Sequence, residues 1–473
     1  MITEAMAALL ADPFFARLKS VVINSTGMAF YSDKDEDLAR ITADRMEACK
    51  LSDCASYLNL LEREPGHGGE MEALVAELTI GETYFFRHKE QFDALRDTIL
   101  PNVIARNQTF KRLRIWSAGC SIGPEPYTLA IMLKREFGQK LADWHISIIA
   151  TDINQKFLAR AREARYDEWA FRTTPDDIRR ECFDKVGKHW VLKSQFRSLV
   201  TFQYHNLTRN RFPSLVDNIA AFDIIICRNV IIYFSPETVA QLVPCFREAL
   251  MDGGWLIMGH AEPNMELFRD FRTVNVPGAV LYQRVDRPET AEPPQMAVAP
   301  RPLTVPAAPS PCRPAPLPPV RRPSPARQKA APMGLRPVAP PAEGAAKVRR
   351  LADAGHWNEA LASCDALLAA SGMDWRLHLL RALILEQLGE GAGCETALRR
   401  AIYLDRKAVL PHYHLGLFLA RGDDNNGARR SFRNVLALLA DLPDDHPIED
   451  GDDLTASQLR ESVEMHLKLI GSS

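Results

Sequence analysis

Apolar residues recur every three or four positions through the first 80 residues, at Leu38, Ile41, Met46, Leu51, Tyr57 and Leu60 and again over 74–78. That is the period of helices turning one face to a core. The pattern changes at Leu113. From there to Arg284 the near-continuous apolar runs LRIWSA, ISIIAT, FDIIICR, WLIMGHA and AVLYQR alternate with helical stretches. Runs without polar alternation suit strands covered on both faces, so this part predicts an open α/β sheet of Rossmann-like type. An insertion, about 166–200, separates the second run from the third. Its segments 190–193 and 198–201 are expected to pair as a small antiparallel ribbon.

Composition divides the rest of the chain. Between 288 and 341 stand 18 of the 32 prolines, mixed with alanine, serine and arginines such as Arg321 and Arg322. Such a segment cannot bury enough apolar surface to offset its ordering entropy, which predicts a disordered linker over 288–342. A coil of about 54 residues spans roughly 40 Å root-mean-square, so the parts it joins are expected to move independently. Beyond it a 34-residue period appears. Ala360, Cys394 and Ala428 keep it, as do Cys364, Leu398 and Phe432, and Leu367, Ala401 and Val435. Small residues recurring where helices approach, and large ones where they stack, resemble tetratricopeptide repeats. Three copies cover about 345–439, with 459–470 as a capping helix. The expected division is a helical subdomain (1–85), an α/β domain (86–287), the linker (288–342) and an all-α repeat domain (343–473).

Charge and cysteines narrow the class. A net charge of −2 and a pI of about 6.7 give no basic field for nucleic acid. Nine scattered cysteines with no C-x-x-C pair read as reduced thiols rather than a disulfide frame or zinc site, and no metal is expected. The start, MITEAMAALLADPFF, lacks a signal peptide's basic end, and no stretch approaches the roughly 18 apolar residues of a membrane span. The expectation is a cytoplasmic protein with no membrane insertion.

Candidate chemistry centres on IWSAGCSIGPEPY, 115–127, a strand, a glycine turn and a helix start. Gly119 and Gly123 let backbone approach a ligand, and free amides at the helix start are expected as donors. Two glycines four apart, with no third, are not the dinucleotide fingerprint. The next strand ends in Asp152, where an acid can accept from both ribose hydroxyls or simply cap the following helix.

Two further words complete a pattern: GETYFFR, 81–87, before the glycine turn, and FDIIICRNVIIYF, 222–234, after it. In this order and spacing the words resemble the CheR-type chemoreceptor methyltransferases over about 18–287. The resemblance implies S-adenosylmethionine as cofactor and receptor glutamates as substrate. It also implies cofactor contacts at Thr83, Arg87, Gly119, Glu125 (to the amino group), Asp152, Asn206 and Leu207 (to adenine), Arg228 and Asn229. Arg87 and Tyr233 would face the reacting centre. Gly81 departs from the asparagine of some members. Plainer readings also exist: Arg87 snorkelling over apolar neighbours, Asn206 as a loop residue, His88 and His260 as structural groups.

A glutamate, with a reference pKa of about 4.3, is ionised at neutral pH and needs neither base nor metal to attack a methyl sulfonium. Implied partners are the cytoplasmic helical region of a methyl-accepting receptor and an unidentified protein for the repeats. The short loop 184–190, with one glycine, predicts no docking of a receptor's C-terminal peptide. A methyltransferase acting on another protein or small acid, and a scaffold that senses the cofactor, are the alternatives.

Overall fold

The computed structural model describes residues 4–63, 69–286, 341–422, 424–451 and 454–471, so the predicted linker lies almost wholly outside them. The helical period of the N-terminal part is realised as α1 (Glu4–Ala11), α2 (Phe15–Thr26), α3 (Asp35–Ala48), α4 (Cys54–Arg63) and α5 (Glu70–Leu78). They enclose Leu18, Val22, Leu38, Tyr57 and Leu74. Buried Glu70 ties three of them together. Its carboxylate accepts from Arg45 Nε at 2.8 Å and Nη2 at 2.6 Å, and from the Tyr57 hydroxyl at 2.7 Å.

Then come α6 (Lys89–Ala94) and α7 (Leu100–Arg106), joined by a π turn, followed by β1 (Arg112–Ala118), α8 (Pro124–Phe137), β2 (His145–Asp152) and α9 (Gln155–Glu163). The insertion holds β3 (Arg165–Tyr166), α10 (Asp176–Cys182), β4 (Phe183–Val186), β5 (His189–Leu192) and α11 (Ser194–Arg197). After it run β6 (Val200–Tyr204), β7 (Phe222–Cys227), α12 (Pro236–Ala249), β8 (Leu250–Met258), β9 (Arg272–Val276) and β10 (Ala279–Gln283).

The main sheet has seven strands in the order β6-β2-β1-β7-β8-β10-β9, all running the same way except β10, which is antiparallel to both its neighbours. The chain runs outward from β1 to β2 and β6, then returns to lay β7 on the other side of β1. That reversal opens a crevice at the carboxyl ends of β1 and β7, where open α/β sheets bind ligands. The expected ribbon is different. Segment 190–193 supplies β5, which pairs with β4 and β3. Segment 198–201 instead enters β6, the parallel edge strand beside β2, with Ile148 opposite Val200.

The repeats form α13 (Pro341–Asp353), α14 (Trp357–Ala370), α15 (Trp375–Gln387), α16 (Gly391–Leu404), α17 (Val409–Arg421) and α18 (Asn425–Leu439), with α19 (Ala456–Gly471) packed on the last pair. Ala360, Cys394 and Ala428 are all fully buried, as the period requires. No helix among the described residues is long and apolar enough to cross a membrane.

Independent movement of the two halves is not what the structure shows. Arg112, at the start of β1, donates to the Gln387 main-chain and side-chain oxygens, and its guanidinium lies over the Trp357 ring. The Leu215 N–H donates to Asp353 Oδ1 at 2.9 Å, and Leu215 and Val216 join the repeats' own core. The repeats therefore meet the end of the sheet opposite the crevice. Their removal would bare Leu215 and Val216.

Candidate active site

The glycine turn connects β1 to α8. Gly119 has φ 78°, and a Cβ there would lie 2.3 Å from Val230 Cγ2, so both backbone angle and space demand glycine. Its amides are not free as expected. The Gly119 and Cys120 N–H groups donate to Thr151 O at 2.8 and 2.9 Å, and the Ser121 N–H to Asp152 Oδ2 at 2.8 Å. Helix α8 opens Pro124-Glu125-Pro126, and neither proline has an N–H to offer. The turn brings backbone close to a ligand without presenting an anion cradle, which suits a cofactor that carries no phosphate.

A cavity of ≈ 220 Å³ opens beside the turn; Thr83, Arg87, Gly119, Glu125, Arg228, Asn229 and Tyr233 all line it. Seven of the predicted residues thus converge. Glu125 Oε1 accepts from the Ser117 hydroxyl at 2.7 Å, and Oε2 stands 3.6 Å from Arg228 Nε. That separation is an ion pair but too long for a hydrogen bond, and the buried Arg228 Nε has no hydrogen-bond partner. Burial pushes the Glu125 carboxyl up, and Arg228 and Ser117 pull it back. Burial likewise pushes the Arg228 guanidinium down, with Glu125 opposing. The other arm of Arg228, Nη2, donates to Arg87 O at 2.6 Å and so joins the β7 loop to segment 81–88.

Asp152 ends β2 beneath the turn and does not itself appear on the cavity wall. Its Oδ2 accepts from Ser121 and its Oδ1 from the Asn154 N–H, each at 2.8 Å. Burial pushes the carboxyl up to about 6 against these amides. Asp152 is not the helix cap. Asn154 holds that place, its Oδ1 accepting from the Phe157 N–H at 3.1 Å.

Segment 81–88 is an irregular loop. Phe86 and His88, with φ 58° and 59°, place strained backbone on both sides of Arg87. The loop is held by Phe85, whose buried ring lies 4.9 to 5.1 Å from those of Tyr166, Phe171 and Phe183. Arg87 Nη1 donates to Glu82 O at 3.0 Å. Gly81 has a packing reason: a Cβ there would meet the Phe157 ring at 2.6 Å. Tyr233 sits in a short 3-10 turn with its ring edge-on to Phe30, 5.5 Å away, so the N-terminal helices help fix its place. The His88 and His260 rings stack 6.0 Å apart.

Asn206 and Leu207 are not brought to the cavity. Asn206 Oδ1 accepts from the Thr208 N–H and hydroxyl, and its Nδ2 donates to Ser25 O, so its amide is already engaged. Leu207 packs in the core on the α12 side of the sheet. One group went unread in the sequence. Glu262 accepts from the N–H groups of Asn229 (3.1 Å), Val230 (3.0 Å) and Gly259. It fixes the loop in which Asn229, at φ 59°, faces the cavity. Its signal was the acid one residue past the run WLIMGHA.

Residues 81–280 match the family model described as CheR methyltransferase, SAM binding domain. The chain is 32% identical to the chemotaxis protein methyltransferase of Borreliella burgdorferi, over 52% of this chain and 87% of that one. It belongs to the CheR methyltransferase family. Similarity to the probable biofilm formation methyltransferase WspC of Pseudomonas aeruginosa extends further, at 29% identity over 83% of this chain and 91% of that one. Among solved structures, the translocator chaperone SycD of Yersinia enterocolitica overlays 28% of this chain at 15% identity and a TM-score of 0.25. This CheR-family protein is an S-adenosylmethionine-dependent protein methyltransferase of chemotaxis signalling. Its cavity fits the phosphate-free cofactor, with a buried carboxylate in the wall and the Gly119, Cys120 and Ser121 amides already bonded.

Proposed function

We propose that this enzyme esterifies glutamate side chains in the cytoplasmic helical region of methyl-accepting chemoreceptors, working in the cytoplasm. The observation that carries the reading is the single cavity wall that unites Glu125, Arg228, Arg87 and Tyr233 at the carboxyl ends of β1 and β7. The bound cofactor supplies an electrophilic methyl on a sulfonium. Asp152, beneath the turn, would accept from the ribose hydroxyls through the lone pairs that its amide donors leave. Glu125 offers a carboxylate to the ammonium of the amino-acid head, oriented by Ser117 and Arg228. Thr83, Gly119 and Asn229 close the cofactor side of the cavity. Arg87 positions the incoming carboxylate by its guanidinium fork. Charge is consumed as the methyl moves, so the protein contributes orientation and desolvation rather than a base. Residues 1–85 and 86–287 act together as the catalytic unit, and 343–473 serve protein contacts.

The test is methyl transfer from tritiated cofactor to a cytoplasmic receptor fragment. Label released as methanol by mild base supports a carboxyl ester; base-stable label, or label only on a small acid, contradicts it. Tyr233→Phe is expected to lower turnover by about an order of magnitude while leaving S-adenosylhomocysteine affinity nearly intact, since only the hydroxyl at the reacting centre is lost. Calorimetry beside steady-state rates separates this from the converse, a loss of affinity with turnover kept. Loop 187–188, which joins β4 to β5, is two residues long and holds a single glycine, so it is too short to clamp an added peptide strand against the exposed edge strand β4. Receptors with and without their C-terminal tail should therefore be methylated at equal rates, as paired initial rates would show. A large drop on removing the tail would place a docking site at this ribbon.

A further inference from the structure

The repeat unit carries a second cavity, an open groove of ≈ 670 Å³ floored by α17 and walled by α16 and α18. Leu415 and Leu419 give it an apolar floor, and Tyr403, 68% exposed, stands at its rim. Arg399, Arg406 and Arg430 line it, and no Asp or Glu does. The arginines differ in what holds them. Arg399 donates to Glu395, one turn earlier, at 2.8 Å. Arg406 and Arg430 are exposed and make no ion pair among the described residues. Two acids close to the lining in sequence are engaged with main chain: Asp405 accepts from the Lys407 N–H at 2.8 Å, and Asp424, the α18 cap, from the Gly427 N–H at 2.9 Å. The contacts with the methyltransferase part, Asp353, Trp357 and Gln387, lie outside this groove, so docking of the two halves leaves it uncovered.

We propose that this groove docks an acidic amphipathic helix of a partner protein. An apolar stripe at three- and four-residue spacing would lie on Leu415 and Leu419, and flanking carboxylates would meet Arg406 and Arg430. Two free guanidinium forks beside an apolar floor favour carboxylates over a neutral or basic helix, and they set register as well as attraction. The groove is remote from the crevice and its occupancy does not depend on which residue type is methylated.

The probe is a fluorescent helix-forming peptide of alternating leucine and glutamate patches, titrated against the full chain by anisotropy. A counterpart with every glutamate changed to lysine is its control. The acidic peptide should bind at least about tenfold more tightly than the basic one, and added salt should weaken it. The double variant Arg406→Glu/Arg430→Glu should lose at least about tenfold in affinity for the acidic peptide and gain affinity for the basic one. Turnover on a receptor fragment should stay as in the parent protein. Arg406→Gln/Arg430→Gln should fall between, which guards against a fold defect from the added acids. Equal binding of both peptides, no binding of the acidic one, or undiminished binding by the double variant would overturn the proposal. So would a dimer of the parent chain that the double variant dissociates, because the groove would then be an interface between copies.

Discussion

Replacing Glu262 by alanine is expected to lower methyl-transfer turnover by about two orders of magnitude in a protein that still folds. Glu262 is a positioning residue, reaching no substrate group itself. Its carboxylate is the shared acceptor for the Asn229, Val230 and Gly259 N–H groups, and it packs so closely on the main chain that a Cβ at position 259 would lie 2.4 Å from its Oε2. Without it, three donors lose their acceptor; the buried Gly259 N–H costs about 1 to 3 kcal/mol and the half-buried Asn229 and Val230 N–H groups less, before water or backbone movement relieves them. The left-handed backbone at Asn229 then has nothing to hold it against its intrinsic preference. The turn carrying Tyr233 begins two residues on, and a displacement of about 1 Å at a reacting centre can cost 10²-fold. Glutamine can restore one acceptor but puts an N–H against the others, so Glu262→Gln should fall between. Turnover at saturation, read beside the melting temperature, decides the matter. A melting shift with turnover within about threefold of the parent would make Glu262 merely structural.

Asp152→Ala is expected to weaken S-adenosylhomocysteine binding by about 2 to 3 kcal/mol, the scale for hydrogen bonds to a charged group. The loss of the Ser121 amide contact adds to it by loosening the glycine turn. A pH dependence goes with the same residue. Burial raises the carboxyl from its ordinary 3.8 to about 6, so in the cofactor-free protein the ionised form is the disfavoured one. The cofactor-free fold therefore gains from Asp152 protonation as pH falls and loses that gain as pH rises from about 4 to about 6. Ribose hydroxyls donate to the ionised form, so cofactor binding has the opposite sign. Affinity should be flat above about pH 7 and fall below about pH 6, by at most tenfold per unit. Calorimetric titration across that range checks it. The slope should weaken in Asp152→Asn, and a flat profile in the parent would remove Asp152 from the ribose role.

Much of the fold was legible because it is written in long, strong patterns. The near-continuous apolar runs of β1, β2, β7 and β8 mark a sheet covered on both faces, and the 34-residue period is visible in residues such as Ala360, Cys394 and Ala428 that prove fully buried. What escaped depends on partners distant in sequence. Whether 198–201 pairs with 190–193 or with β2 cannot be read locally, because parallel register is set across a crossover. Strand β4, FDKV, is exposed over three of its four residues and carries no periodic signal. The turn amides read as free until Thr151 O and Asp152 are seen opposite them. Docking of the repeats rests on a contact between Arg112 and Gln387, 275 residues apart. One trace of it was present: Arg112 and Arg114 are charged residues in an otherwise apolar strand, and Arg114, 5% exposed, donates to Asn218.

The cavity residues were legible for a different reason, since Arg87, Glu125, Arg228, Asn229 and Tyr233 all fall within short words of fixed order. Asn206 and Leu207 came from outside any such word; in the structure the Asn206 amide bonds Ser25 and Thr208, and Leu207 packs in the core.

The chemistry of the acceptor is tested most directly by tandem mass spectrometry of a receptor fragment after reaction with the full chain and S-adenosylmethionine. The account predicts methyl esters on glutamate side chains, absent when the cofactor is omitted and strongly reduced with the Glu262→Ala variant. Methyl groups carried on lysine or arginine nitrogens, or a fragment left unmodified by an enzyme that binds S-adenosylhomocysteine normally, would contradict it.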